Sequence, residues 1–321
     1  MSTETSQPGE VTIHLDSISH SPASLIKATF KAIRPKQMPK NLFVYAALVF
    51  VGRLFDPYSL GRVTIAFFLF SLVAGSVYLL NDLLDVDADR IHPEKCLRPI
   101  ASGKLPVALA WFELFLFGVG GVMAGFVLKP AFGLTLVAYL LLQISYCYKL
   151  KHIVLLDVFA LAMGFVLRTI AGGAVLSVSV SHWLLLCTLQ LALFLGFGKR
   201  RQELVLMGTR AGQSRAILKE YSISFLDQMI NIVCGATIVC YSVYSIESET
   251  AKTHPHLWIT VPFVIFGVFR YMYLVYQKGW GGAPDEVLLK DRTLQIDILL
   301  WMIAALTILK FDSAAIVLLR Y

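Results

Sequence analysis

Charged side chains are scarce in this sequence of 321 residues: Asp, Glu, Lys and Arg make up 15% of it, whereas hydrophobic residues make up 57%. So low a charged fraction argues against an ordinary water-soluble domain. The five cysteines include no closely spaced pair such as CxxC, so neither a disulfide framework nor a zinc site is indicated. The polar residues 1–22 contain no central apolar run, so we expect a tail rather than a secretory signal peptide.

Long apolar runs make up most of the remaining chain. A helix that crosses a bilayer needs roughly 20 mostly apolar residues. Nine such runs occur, at 43–56, 62–82, 107–128, 131–148, 153–174, 181–198, 225–246, 257–277 and 293–311. Before them, residues 22–33 mix apolar and basic side chains in the pattern of an amphipathic helix lying at the membrane interface. The sequence therefore predicts an all-α integral membrane protein of nine transmembrane helices, with one domain over 23–321.

Basic side chains are distributed unevenly between the two predicted sides of the membrane. With the N-terminus on the cytoplasmic side, that side holds 20 of the 28 Lys and Arg residues, the other side holds six, and Arg168 and Arg270 fall inside apolar runs. Short cytoplasmic loops collect Lys and Arg, so this bias predicts a cytoplasmic N-terminus. The net charge of +7 then faces anionic headgroups or an anionic substrate, not nucleic acid.

The most informative polar segment follows the second run and extends from Asn81 to Arg90. On a helix, Asp82, Asp85 and Asp89 share one face, whereas Asp87 points the other way. Like charges this close repel one another unless a cation neutralises them, and carboxylate oxygens suit Mg²⁺. The alternative is a helix end that dissolves into a solvated acidic loop.

Cations follow this acidic segment. Arg98, fixed by Pro99, is a candidate phosphate ligand, because guanidinium groups grip phosphate oxygens in pairs. Lys95 and Lys104 are equally typical of a plain basic cytoplasmic loop.

Two further basic clusters lie on the same predicted side. After the sixth run come Lys199, Arg200 and Glu203, which form either half of a phosphate site or, for Lys199 and Glu203, a surface ion pair. Lys36 and Lys40 precede the first run and form either an interfacial anchor or a third wall of the site.

Arg168 and Arg270 are cations within apolar runs, which makes both functional candidates. Arg168 lies roughly 25 Å from the cytoplasmic end, so it either reaches a diphosphate or braces the bundle through Asp157 or another acid. Arg270 is better placed to line a cavity. The last loop, 279–295, forms either a lid or an ordinary connection in which Asp285 caps a short helix.

The NDxxDxxxD run at 81–89 and the RPIASG run at 98–103 resemble the first signature of the UbiA superfamily of intramembrane prenyltransferases. A second DxxxD signature usual in that superfamily is absent here, since Glu203 and Met207 stand at its acidic positions. Three other segments look instead like the bacterial decaprenyl-phosphate phosphoribosyltransferase branch. They are residues 168–173, which begin with Arg168, the GKRxxE run at 198–203 and the GxPDE run at 282–286.

This resemblance implies a nine-helix bundle with a central cavity open to the cytoplasm, in the bacterial inner membrane. It also implies transfer of 5-phosphoribose from 5-phosphoribosyl diphosphate to a polyprenyl phosphate, for a lipid-linked arabinose precursor of the cell wall. Mg²⁺ would be held by Asp82, Asp85 and Asp89. The implied substrate-binding residues are Lys36, Lys40, Asn81, Arg98, Arg168, Lys199, Arg200, Glu203 and Arg270. The alternatives are a prenyltransferase acting on an aromatic or other acceptor, and a transporter or lipid flippase.

Overall fold

Helices carry all the regular structure in the computed structural model, which describes residues 21–92, 94–207, 216–280, 287 and 290–318. The α-helices, numbered in chain order, are α1 (Pro22–Ala32), α2 (Ala46–Phe50), α3 (Pro57–Leu84), α4 (Val86–Ile91), α5 (Val107–Leu128), α6 (Pro130–Tyr148), α7 (Leu156–Leu176), α8 (His182–Met207), α9 (Ile223–Glu247), α10 (Glu249–Thr253), α11 (Val261–Gln277) and α12 (Arg292–Leu318). Short 3-10 segments occupy Pro35–Tyr45, Lys95–Leu97, Leu150–His152, Ala216–Glu220 and Leu257–Thr260.

Eight helices in the described ranges are long and apolar enough to cross a membrane. They are α3, α5, α6, α7, α8, α9, α11 with the 3-10 turn before it, and α12, and each overlaps a predicted run. The sixth run was predicted to end at 198, but α8 continues through its charged residues to Met207. Ion pairs of Arg200 with Glu203 and with Asp157 on α7 explain the extension, because they satisfy charges that would otherwise favour water.

The predicted first run, 43–56, is not a single α-helix of spanning length. Its start belongs to the 3-10 segment Pro35–Tyr45, and only Ala46–Phe50 is α-helical before a turn. Pro39 lies inside the 3-10 segment and has no backbone N–H to donate, which disfavours a regular α-helix there. The count of nine spanning helices is therefore not confirmed.

Helix α7 forms the centre of the bundle, because both large apolar clusters draw on it. Val158 and Ala162 pack with α8, α9 and α11, whereas Ala171 and Val175 pack with α3, α6 and the segment 35–50. The approach to that segment is close: a Cβ on Gly172 would lie 2.0 Å from the carbonyl oxygen of Val44. Only glycine leaves room for the backbone there.

One end of this bundle gathers most of the polar segments singled out in the sequence. The C-terminal end of α3, helix α4 and the α6–α7 connection meet there, since Lys151 in that connection contacts Asp85. The residues after α1 reach the same place, where Arg34 contacts Asp82. We call this the carboxylate end.

Candidate active site

The three carboxylates lie where α3 passes into α4. Asp85 is the junction residue, with φ −97° and ψ 8°, yet its N–H still bonds the Asn81 carbonyl at 3.1 Å and its own carbonyl accepts from Asp89 at 2.8 Å. This near-continuity places Asp82 and Asp89 on the bundle side, each 2% exposed, and Asp85 at half-burial. Asp87 is exposed, as predicted for the opposite face. The solvated-loop alternative is therefore wrong for Asp82 and Asp89.

Cations of the chain itself separate these carboxylates. A single nitrogen of Arg98 contacts Asp82 Oδ1 at 3.1 Å and Asp89 Oδ2 at 2.6 Å. Lys151 Nζ lies 3.2 Å from Asp85 Oδ1. Protein cations thus already balance the charge of these acids, so their mutual tolerance does not by itself require a divalent ion, and the metal site stays a prediction.

Arg34 and Lys151 are the cations of this site that were not among the predicted ligands, and Arg34 makes the closer contact. Its nitrogen lies 2.5 Å from Asp82 Oδ1, and its guanidinium sits over the Tyr78 ring, 5.1 Å from the centroid. The backbone is left-handed, with φ 54° and ψ 66°, which is uncommon outside glycine. The clue available in the sequence is the place of Arg34 at the start of the basic segment 34–41, for which an interfacial anchor and a third wall of the phosphate site are both open alternatives.

The donor chemistry at this end suits Mg²⁺. Asp82, Asp85 and Asp89 offer only oxygen ligands, and the neighbouring Asn81 carries a further amide oxygen. Mg²⁺ prefers oxygen ligands of this kind. Contacts with the described residues use one oxygen of each carboxylate and leave the second. Within the described ranges, however, no three His, Cys, Asp or Glu side chains stand together as a ready ligand set. A metal ion bound here would share the carboxylates with these cations.

The remaining predicted polar residues near this end are less closely engaged. The Asn81 amide oxygen lies 4.0 Å from the Cys147 sulfur. Lys36 is exposed and forms no ion pair with the described residues, whereas Lys40 is half-buried.

Arg200 binds protein carboxylates inside the bundle. It is 2% exposed, and it donates to Asp157 at 2.7 Å and to Glu203 at 2.9 Å. Tyr221 donates to the other oxygen of Asp157 at 2.6 Å and accepts from the Leu155 N–H at 2.8 Å. Burial and the hydrogen bond to Asp157 raise the pKa of Tyr221. These hydrogen bonds connect α8 to the start of α7, so Arg200 holds the two helices together.

Arg168 is buried at 5% exposure and held by neutral groups. It donates to the Asn41 amide oxygen at 2.7 Å, the Gly164 carbonyl at 2.8 Å and the Tyr139 hydroxyl at 3.1 Å. The rings of Phe70, Tyr139 and Phe165 surround it at 5.0 to 5.3 Å. The predicted pairing of Arg168 with Asp157 is wrong, because Asp157 is taken by Arg200. Arg168 instead joins α7 to α6 and to the 3-10 segment.

Arg270 pairs with Asp291, at 3.2 Å and 2.8 Å, and so joins α11 to the start of α12. Asp291 also accepts the Leu294 N–H at 2.7 Å, which caps α12. The hydrogen bond from Arg270 is the main cause that lowers the pKa of Asp291. The predicted cap at Asp285 lies outside the described residues.

A cavity of about 610 Å³ lies at the end opposite the carboxylates. Phe50, Trp183, Tyr244, Glu247 and His254 are among its lining residues, which include no Lys or Arg. That lining does not suit a phosphate. The predicted cavity open at the carboxylate end stays a prediction.

Comparison with known proteins provides a family. The model of the "UbiA prenyltransferase family" matches residues 41–278. A decaprenyl-phosphate phosphoribosyltransferase of Mycobacterium tuberculosis is 35% identical over 291 residues, covering 89% of this chain and 96% of that protein. The enzyme of the same name from Corynebacterium glutamicum is 34% identical over 304 residues, covering 93% and 91%.

Solved structures agree on the fold. A UbiA homolog from Archaeoglobus fulgidus, solved with DMAPP and Mg²⁺, superposes with a TM-score of 0.67 at 16% identity, covering 88% of this chain and 99% of that one. A structure described for digeranylgeranylglyceryl phosphate synthase gives a TM-score of 0.58 at 15% identity, covering 88% and 98%. From the family model and the extent of the sequence identity, the chain belongs to the UbiA prenyltransferase family.

Proposed function

We infer that this protein is a membrane-embedded polyprenyl-phosphate phosphoribosyltransferase. The observation that carries the inference is the 35% identity, over 89% of the chain, to an enzyme named for that activity. The acceptor phosphate oxygen attacks C1 of the ribose, the bond from C1 to the diphosphate breaks, and its electron pair leaves with pyrophosphate. Because a lipid phosphate is already anionic, the reaction needs no strong general base. The protein's task is alignment and charge stabilisation.

We propose that Asp82, Asp85 and Asp89 hold Mg²⁺ and that Asn81 orients them. Two solved structures of a UbiA homolog from Archaeoglobus fulgidus contain Mg²⁺ with a prenyl diphosphate, DMAPP or GPP, which supports a divalent ion in this fold. When bound, the ion neutralises charge that develops on the leaving pyrophosphate.

The chain's cations then divide into two groups. Arg98 is 27% exposed while it bridges two carboxylates, so part of its donor fork can reach a phosphate. We assign phosphate binding to Arg98 and, on the same predicted side, to Lys36, Lys40 and Lys199.

Three predicted ligands have a different proposed role. Arg168 and Arg200 are buried, and Arg270 is tied to Asp291, so each holds helices together in this geometry. We assign them to positioning of the helices around the site, with Glu203 fixing Arg200.

The membrane arrangement is part of the proposal. Residues 23–321 form one domain in a bacterial inner membrane, with the carboxylate end and the N-terminus facing the cytoplasm, where the Lys and Arg bias places them. The segment 35–50 supplies a ninth crossing: 3-10 turns rise about 2.0 Å per residue and α-helix about 1.5 Å, so it extends roughly 30 Å. The lipid tail occupies a cavity between the helices, and the product serves a lipid-linked arabinose precursor of the cell wall.

A direct assay separates this function from its alternative. Purified protein in detergent is supplied with 5-phosphoribosyl diphosphate, polyprenyl phosphate and Mg²⁺, and in parallel with a prenyl diphosphate and an aromatic acceptor. We expect a phosphoribosyl lipid and released pyrophosphate in the first mixture only. Turnover confined to the second mixture would assign the chain to the prenyl-transferring enzymes instead. Absence of chemistry in both would favour a transporter.

A further inference from the structure

Arg34 and Asp82 form the closest ion pair of the carboxylate end, and their surroundings are charge-balanced. Asp82 and Asp89 carry two negative charges, and Arg34 and Arg98 carry two positive charges within 3.1 Å of them. The Asp82 side chain is 2% exposed, whereas the side chains of Arg34 and Arg98 are 30% and 27% exposed. A divalent cation that takes Oδ1 of Asp82 therefore enters an occupied position and has to displace a guanidinium from that oxygen.

The contacts indicate which guanidinium gives way. Arg98 holds two carboxylates at once, and its own carbonyl is tied into the following turn by the Ser102 N–H at 2.8 Å. Arg34 contacts only one carboxylate oxygen among the described residues. Since two anchoring contacts are harder to lose than one, Arg34 is the cation that leaves.

The ring of Tyr78 offers Arg34 a second contact beside Asp82. Tyr78 lies one helical turn before Asp82 on α3, so its ring and the carboxylate share a face. The guanidinium already lies over that ring at 5.1 Å, a cation–π distance. Released from Asp82, it keeps this support and presents its donors outward.

The backbone of Arg34 keeps the side chain at the site. Its left-handed conformation is disfavoured for a residue with a Cβ, and the following Pro35 restricts it further. Two turn bonds hold it there: its own N–H donates to the Lys31 carbonyl at 3.3 Å, and its carbonyl accepts from Gln37 at 2.8 Å. Strain of this kind persists where the surrounding structure enforces it.

We propose that Arg34 is a diphosphate-binding residue that occupies the metal's position on Asp82 until metal and diphosphate arrive together. This rests on the proposed function only in that a metal-bound diphosphate is the substrate group. The exchange makes binding ordered. Metal alone competes with Arg34, whereas metal with diphosphate offers Arg34 a new anionic partner in place of Asp82.

The test uses two binding measurements on the full-length protein in detergent, without turnover. Mn²⁺, a paramagnetic substitute for Mg²⁺, is titrated alone and followed by electron paramagnetic resonance. Inorganic pyrophosphate is titrated in saturating Mg²⁺ by calorimetry. For Arg34→Gln we expect Mn²⁺ alone to bind several-fold tighter and pyrophosphate to bind roughly tenfold weaker, as for the loss of one charge-assisted hydrogen bond.

Two control variants isolate the contact. Arg90→Gln removes the same charge from an exposed pair with Asp87 on α4, and both affinities should stay at the wild-type values. Arg34→Lys keeps the charge and should keep Mn²⁺ affinity near wild type, which also supplies a result if the Gln variant does not fold by size exclusion.

Tighter Mn²⁺ binding together with weaker pyrophosphate binding in Arg34→Gln supports the exchange. Unchanged or weaker Mn²⁺ binding overturns it, and so does unchanged pyrophosphate binding. If Arg34→Gln does not fold, tighter Mn²⁺ binding by Arg34→Lys than by wild type overturns it. These outcomes are independent of phosphoribosyl transfer. If the two affinities shift in opposite directions but the wild-type protein makes no phosphoribosyl lipid, only the proposed function is rejected. If the wild-type protein is an active transferase but the affinities do not shift, only the role of Arg34 is rejected.

Discussion

Replacing Arg200 by Met tests whether this guanidinium braces the bundle or binds phosphate. Arg200 is 2% exposed and Asp157 is fully buried, so the substitution leaves a carboxylate inside the protein with only the Tyr221 hydroxyl as a described side-chain donor. Breaking a buried pair by removing one partner costs about 3–5 kcal/mol. For a chain of 321 residues that lowers the melting temperature by about 4–7 °C.

The double variant Asp157→Leu with Arg200→Met provides the decisive comparison. Replacing both partners of a buried ion pair by apolar side chains is often neutral, so most of the lost stability should return. Thermal unfolding in detergent, followed by tryptophan fluorescence, measures the effect. Arg90→Met is the control, because its exposed pair with Asp87 contributes no more than about 1 kcal/mol. A normal melting temperature in Arg200→Met, together with tenfold weaker pyrophosphate binding, would refute the bracing role.

Three further predictions concern other parts of the chain. Asp82→Asn should abolish phosphoribosyl transfer while the size-exclusion profile in detergent stays normal; near-wild-type rates would remove the proposed metal site. Gly172→Ala should destabilise the protein by about 1–3 kcal/mol, because its Cβ would lie 2.0 Å from a backbone carbonyl. Gly235→Ala is the matched helix control, with nothing within 4 Å of the added carbon, and should be neutral or stabilising in the same melting assay. The lowered pKa of Asp291 means that its stabilising contact is complete above the ordinary Asp value of about 4 and is lost as the pH falls through the lowered pKa. Asp291→Asn should therefore flatten the loss of melting temperature between neutral pH and pH 3; an unchanged slope would contradict this.

The helices could be predicted because the bilayer imposes a length and an apolar composition that are local in sequence. Eight of the nine predicted runs overlap a helix of spanning length, and the amphipathic stretch 22–33 is α1. The first run, 43–56, is not a single spanning helix, because its start is 3-10 helical and a turn containing Gly52, with φ 71°, follows α2.

The position of the carboxylates could be predicted as well, because Asp82, Asp85 and Asp89 lie within two helical turns. The cations from distant segments that pair with these carboxylates could not be predicted. Asp85 pairs with Lys151, which is 66 residues away, and Asp82 pairs with Arg34, 48 residues away. Such pairs depend on how helices pack, and a sequence pattern carries no direct signal of that.

The buried arginines illustrate the same limit. Arg168 and Arg200 were both predicted substrate-binding residues, and Asp157 was one acid considered as a bracing partner of Arg168, but α8 brings Arg200 to it instead. Arg168 then takes neutral partners from two segments that are distant in sequence, at Asn41 and Tyr139, and from Gly164 one turn earlier on its own helix.

The buried charge of Arg168 creates a positive electrostatic potential in the interior of the bundle. The charge of Arg168 is shared among amide, carbonyl, hydroxyl and ring groups, none of which cancels it. Phe70, beneath its guanidinium, is twelve residues before Asp82 on α3, a rise of roughly 18 Å. At an effective dielectric constant of about 20, a unit charge at that distance is worth about 1 kcal/mol. An anion approaching the carboxylate end is therefore attracted by a cation that it never touches.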